Sequence, residues 1–150
     1  MSFGGAAAGQ VCVEDRRVKA AINMDGFPYG DLIDHPLEIP FMFMSSEWSS
    51  AQYNAIFRSI IDFALRSSRA AAYDVFVKES AHVNYTDLSL WSPVLKYTGV
   101  IGKIDGARMM KVMNAYVPAF FNKHLKGIDS PLLHGSSSDF PEVILKARDK

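Results

Sequence analysis

The sequence predicts an α/β fold, with parallel strands flanked by helices, and three observations carry that prediction. Strand-like and helix-like segments alternate along the chain, in the order that builds a sheet through crossover connections. Two short apolar runs, Val18 to Met24 and Ile39 to Met44, lack the apolar/polar alternation of a half-exposed strand and read as strands covered on both faces. The chain opens Met1-Ser2-Phe3-Gly4-Gly5, which reads as the downstream half of a nucleophile elbow, the G-x-S-x-G turn that lifts a serine hydroxyl between a strand and a helix. On that reading the glycine two positions before Ser2 and the strand that carries it are missing. Residues 1–150 then form a single partial α/β domain of about three parallel strands, with the N-terminal strands absent.

In chain order, Gly4 to Val13 is small and apolar, suited to a helix packed tightly on a sheet, and Asp15-Arg16-Arg17 breaks the pattern. Val18 to Met24 is the first strand, and Asp25-Gly26 is a loop signal at its carboxyl end. Phe27 to Glu38 contains Pro28, Gly30 and Pro36 and reads as an irregular surface loop. The second strand, Ile39 to Met44, is entered through Pro40 and stops at Ser45-Ser46-Glu47. A helix capped by Ser49 or Ser50 is predicted to run to about Arg69, because Tyr53, Ile56, Phe57, Ile60, Ile61 and Ala64 recur at helical spacing. Ala72 to Val77 is the third strand, followed by a polar and aromatic loop from Glu79 to Pro93. Asp105 caps a long helix, Gly106 to Leu125, closed by Gly127 and expected to kink or split at Pro118. The remainder reads as loop ending in one short apolar stretch, Val143 to Leu145.

Composition excludes more than it assigns. With 49% hydrophobic residues and 16 basic against 16 acidic side chains, the chain can bury a core and has no electrostatic footprint for nucleic acid. The single cysteine, Cys12, forms no intrachain disulfide and reads as a buried structural thiol, and no spacing suggests a metal site. No apolar run approaches the ~20 residues of a membrane span, and the start has no basic leader, so the chain as written reads as cytoplasmic with no transmembrane segment.

In parallel sheets, chemistry collects at the carboxyl ends of the strands. Three candidates stand there: Ser2 at the elbow, Asp25 after the first strand and His82 in the loop after the third. Each is a weak signal alone, but their order matches that of a nucleophile, acid and base triad on an α/β sheet. Phe27, Trp48, Tyr85 and Trp91 fall in loops above the same end and are candidates for lining a pocket, while Met109, Met110 and Met113 read as packing. His35, His124 and His134 show no partner pattern and read as surface residues.

The segments Ser2-Phe3-Gly4-Gly5-Ala6, Asp15 to Ala20 leading into Ile22 to Gly26, and Ser80-Ala81-His82-Val83-Asn84-Tyr85-Thr86-Asp87 resemble the platelet-activating factor acetylhydrolase family, its plasma-type and bacterial or fungal members. The resemblance continues through Leu90 to Pro93, Gly102 to Gly106 and Ala119 to Gly127, and the histidine loop is its most specific part. It implies the C-terminal part of an α/β-hydrolase fold and a serine ester hydrolase working without metal or organic cofactor. Residue by residue it places Ser2 as nucleophile, Asp25 as acid and His82 as base, and Met1 stands where such proteins usually carry histidine.

The implied substrate is a small-molecule or lipid ester, short-chain and phospholipid-like. The Phe3 N–H, directly after the nucleophile, is one oxyanion donor, and the other comes in that fold from an earlier loop that this sequence does not contain. The expectation is therefore that this polypeptide alone is weak or inactive, with its first strand offering an exposed sheet edge for pairing. The alternatives are a non-catalytic remnant, a dienelactone- or polyester-hydrolase-like esterase, and a binding domain in which Ser2, Asp25 and His82 lie apart.

Overall fold

A computed structural model describes residues 1–48, 50–91, 93–98 and 100–148. The main elements are α1 (Phe3–Glu14), β1 (Ala21–Met24), β2 (Phe41–Ser45), α2 (Ala51–Ser67), β3 (Ala72–Val77), the one-turn α3 (Leu88–Trp91), α4 (Gly106–Lys126) and β4 (Val143–Arg148). The sheet has four strands in the order β1-β2-β3-β4, the first three parallel and β4 antiparallel to β3.

Pleating explains the unbroken apolar runs. Phe41 and Phe43 of β2 pack with Phe57, Ile61, Ala64 and Leu65 of α2, whereas Met42 and Met44 join Tyr73, Val75 and Val77 of β3 and Met109, Val112, Tyr116 and Phe120 of α4. Successive side chains of a strand point to opposite faces, so a strand with helices on both sides is apolar at every position. Along β2 all five residues are buried.

The strands start later than the apolar runs do. The ladder of β1 begins at Ala21, whose N–H donates to Pro40 O at 3.1 Å, and β2 begins at Phe41 because Pro40 has no N–H to give. Helix α2 is capped by the Ser50 hydroxyl, which accepts from Tyr53 N at 3.3 Å; Ser49, the other expected cap, lies outside the described residues. The segment Phe27 to Glu38 is more than surface loop. It holds a 3-10 turn, Gly30–Ile33, whose Leu32 is fully buried and whose Asp31 exchanges two 2.9 Å hydrogen bonds with the Gln10 side chain of α1. The expected loop after Glu79 likewise contains a 3-10 turn, His82–Tyr85, and α3.

Pro118 does not split α4, which is assigned as one helix from Gly106 to Lys126. Pro118 and Asn114, whose carbonyl the proline leaves without a partner, are both exposed, so water can satisfy that group. Gly127 ends the helix in the left-handed region at φ 68°, as its place after the last basic turn predicts. The larger correction is β4. Only three of its six residues were expected as an apolar stretch, because an edge strand with Lys146 and Arg148 on it carries a diluted hydrophobic signal. Cys12 is half-buried, and burial pushes its thiol up to about 11.

Candidate active site

Ser2 sits at φ 55° and ψ −133°, a backbone conformation that a non-glycine residue rarely adopts. A serine before a helix ordinarily uses its hydroxyl to cap the first turn, but that of Ser2 makes no capping hydrogen bond. Its carbonyl accepts instead from Gly5 N at 2.9 Å and Ala6 N at 3.2 Å, and its own N–H donates to Met24 O at 2.9 Å. Backbone bonds thus fix the turn and leave the hydroxyl unspent. Gly26 makes this approach possible: a β-carbon there would collide with Ser2 O, with Asn23 Oδ1 at 2.7 Å and with Ala6 N at 2.8 Å.

Asp25, also at positive φ (51°), follows the last residue of β1 and is 1% exposed. The side chain of Asn23 clamps its turn, donating to Gly26 O at 2.9 Å and accepting from Gly26 N at 2.8 Å. The Asp25 carboxylate accepts three hydrogen bonds: from Ser46 N on Oδ1 at 2.7 Å, from the Ser46 hydroxyl on Oδ2 at 2.7 Å, and with His82 Nδ1 on the same Oδ2 at 2.8 Å. A buried carboxylate survives only when so compensated.

His82 opens the 3-10 turn after β3, and its loop is tied down by the buried Asn84, whose Oδ1 accepts from Ala81 N at 2.8 Å and Gly102 N at 2.7 Å. Any side chain at position 102 would run into the backbone of Glu79 to Ala81, which explains a glycine there. The hydrogen bond to Asp25 is the main cause that raises His82 above the ordinary value of 6.5, with desolvation opposing it. With Nδ1 engaged by a carboxylate, Nε2 is left as the basic nitrogen of the neutral ring.

Ser2, Phe3, Asp25 and His82 line one cleft of about 240 Å3, closed by Phe27, Tyr29, Trp48 and Tyr53. Trp48 packs on Tyr53 and on the His82 ring, with centroids 4.9 and 5.7 Å apart. Of the four aromatic residues expected to line a pocket, the structure brings Phe27 and Trp48 to the cleft. Tyr85 is instead core, 6% exposed and packed in the cluster with α4, and Trp91 is 83% exposed on α3 and not among the residues that line the cleft. His124 is not a free surface residue either: it stacks on Phe120 at 4.9 Å and bonds Tyr73 Oη at 3.2 Å.

Sequence reasoning missed Ser46, Asn23, Asn84 and the cleft aromatics Tyr29 and Tyr53. Ser46 had a usable signal, a polar residue at the carboxyl end of a buried strand. Asp31, Asp34 and His35 bring one ligand atom each within 4.8 Å of one another, but on an open surface where Asp34 Oδ1 already binds His35 Nδ1 at 2.7 Å. Among the described residues, no helix is long and apolar enough to cross a membrane.

This geometry can be set beside known proteins. A ferulic acid esterase from Streptomyces cinnamoneus superposes with a TM-score of 0.80 at 30% identity, over 96% of this chain and 44% of that one. A probable 1-alkyl-2-acetylglycerophosphocholine esterase from Arthroderma benhamiae is 28% identical over 160 residues, 95% of this chain and 41% of that protein. The chain therefore spans about two fifths of the length of these relatives. The profile of platelet-activating factor acetylhydrolase, isoform II, matches residues 1–131. With that match over most of its length, and a mostly parallel α/β sheet shared with an esterase, the chain belongs to the platelet-activating factor acetylhydrolase isoform II family of esterases.

Proposed function

We propose that this chain carries the catalytic residues of a serine carboxylic ester hydrolase for short acyl esters, phospholipid-like in the manner of its family. The observation that carries the reading is the cleft shared by Ser2 and His82, with His82 held on its far side by a buried Asp25. A serine hydroxyl is a weak nucleophile until a base removes its proton. His82 Nε2 takes that proton as Ser2 attacks the ester carbonyl; Asp25 fixes the tautomer and stabilises the imidazolium. His82 then returns the proton to the leaving alcohol, and water repeats the sequence on the acyl-enzyme. The Phe3 N–H, first in α1 and without an intrahelical acceptor, points donor and helix dipole at the developing oxyanion.

The chain acts as one partial α/β-hydrolase domain, uses no cofactor in this chemistry, and has β1 as a sheet edge open to a pairing strand. The Phe3 N–H is the oxyanion donor that this chain's elbow supplies, and one such donor is worth roughly 100- to 1000-fold in turnover.

The test separates nucleophile from turnover. A fluorophosphonate should label Ser2, detected as a mass increment on its peptide, with labelling lost in Ser2→Ala and strongly slowed in His82→Gln. Hydrolysis of p-nitrophenyl acetate by the same samples should be Ser2-dependent. Labelling that ignores His82, or falls elsewhere, would sink the proposal and favour a catalytically silent relative.

A further inference from the structure

We propose that Ser46 sets the basicity of His82 by sharing the Asp25 carboxylate with it, a positioning role that rests on the catalytic reading above. Ser46 is 1% exposed and follows directly on β2. Its N–H holds Oδ1 and its hydroxyl holds Oδ2, and Oδ2 is the atom that His82 Nδ1 also reaches. One carboxylate oxygen thus divides its charge between two donors, and what Ser46 draws is withheld from the imidazolium. The Asp25 side chain is fully buried, so bulk water does not compete for that oxygen.

The hydroxyl has little freedom to leave. The preceding Ser45 donates to Asp74 Oδ1 at 2.7 Å, and Asp74 is paired with Arg58 Nη1 at 2.7 Å, so the end of β2 is pinned at adjacent residues to two different buried carboxylates. The other groups around this pair are the amino terminus on the elbow, which opposes protonation of His82, and Tyr85, kept neutral by burial, which feels Asp25 and also Asp74 and Arg58 from β3 and α2. All of them are unchanged when only the Ser46 hydroxyl is removed. With the hydroxyl in place, His82 is less basic than Asp25 alone would make it. A larger share of the ring is then neutral and ready to accept a proton near pH 7.

The experiment is an NMR pH titration of the His82 ring in the whole chain, assigned against His82→Gln. It requires no turnover, so failure of Ser2 labelling sinks the catalytic reading and leaves this measurement intact. In Ser46→Ala the midpoint should rise by about half to one pH unit, the scale on which a charge-assisted hydrogen bond moves a neighbour. Ser46→Thr keeps a hydroxyl and should stay within about 0.2 unit of the parent. An unchanged midpoint overturns the proposal. A fall towards the ordinary histidine value overturns it equally, since it shows that the hydroxyl only braces the carboxylate. Should Ser46→Ala lose the native circular dichroism spectrum, Ser46→Cys, a weaker donor, must give a smaller rise, and no rise there is a refutation.

Discussion

Replacing Arg58 by methionine should destabilise the fold by an amount with a ceiling that the structure sets. Asp74 lies in the centre of β3, 1% exposed, held by Arg58 Nη1 and the Ser45 hydroxyl, both at 2.7 Å. Burial already pushes its carboxyl above the usual value of 3.8, and the guanidinium and the hydroxyl pull it back. Methionine matches the aliphatic stem but removes the guanidinium, whose Cζ lies 5.4 and 4.9 Å from the Phe57 and Phe76 ring centres, leaving one hydroxyl for a desolvated charge. Removing one partner of a buried pair typically costs ~3–5 kcal/mol. The loss stops growing once the carboxyl takes up a proton. Counted from the ordinary value of 3.8, that limit at pH 7 is at most about 4 kcal/mol, at roughly 1.4 kcal/mol per pH unit, and the raised carboxyl makes it smaller. The limit falls with pH, to about 1.5 kcal/mol at pH 5. The assay is urea unfolding of parent and variant at both pH values, followed by tryptophan fluorescence. A second variant, Arg58→Met with Asp74→Leu, should recover most of the stability. A loss under about 1 kcal/mol at pH 7, or one that does not shrink at pH 5, would refute the view that Arg58 chiefly neutralises Asp74.

Three further outcomes are expected. Because Asp25 raises His82 above 6.5 and the reaction needs the neutral ring, the acid limb of fluorophosphonate labelling should lie above pH 6.5; a limb at or below that value contradicts the pairing. The same sign applies to stability, since protonated His82 favours the folded state at low pH and that contribution disappears as pH rises through its raised value. Gly26→Ala forces a β-carbon against Ser2 O and Ala6 N, so it should cost ~1–3 kcal/mol in urea unfolding and slow Ser2 labelling, whereas a neutral substitution would show the turn to be loose. Cys12, with its thiol raised to about 11, should react with iodoacetamide at pH 8 on the order of 100-fold more slowly than a free thiol, and in 6 M guanidinium the difference should vanish.

What the sequence disclosed followed the strength of local signals. β3 and α4 were legible almost to the residue, because a short run of aromatic and β-branched residues, interrupted only by Asp74, and a carboxylate cap with a closing glycine are local statements. β4 was not, since its pairing with β3 across about seventy residues is decided by tertiary register and two of its six residues are charged. The placement of Ser2, Asp25 and His82 at one sheet end was legible from their order along the chain, whereas the pieces that hold them were not. Ser46, Asn23 and Asn84 act through single side-chain hydrogen bonds to backbone or carboxylate, and a lone serine or asparagine in a loop has no periodicity to betray it. Tyr85 shows the opposite failure: it sits three residues from His82 and looked like a pocket residue, yet it packs in the core cluster with α4.

The two margins of the sheet differ. Along β4, Lys146 reaches across to Asp62 and Arg148 to the Leu65 carbonyl, so cations stand guard over that flank. β1 has no such sentries, and its own lysine, Lys19, precedes the ladder and bonds back to Arg16. A strand approaching β4 would therefore meet two cations, whereas Ala21–Met24 of β1 presents no charged side chain at all.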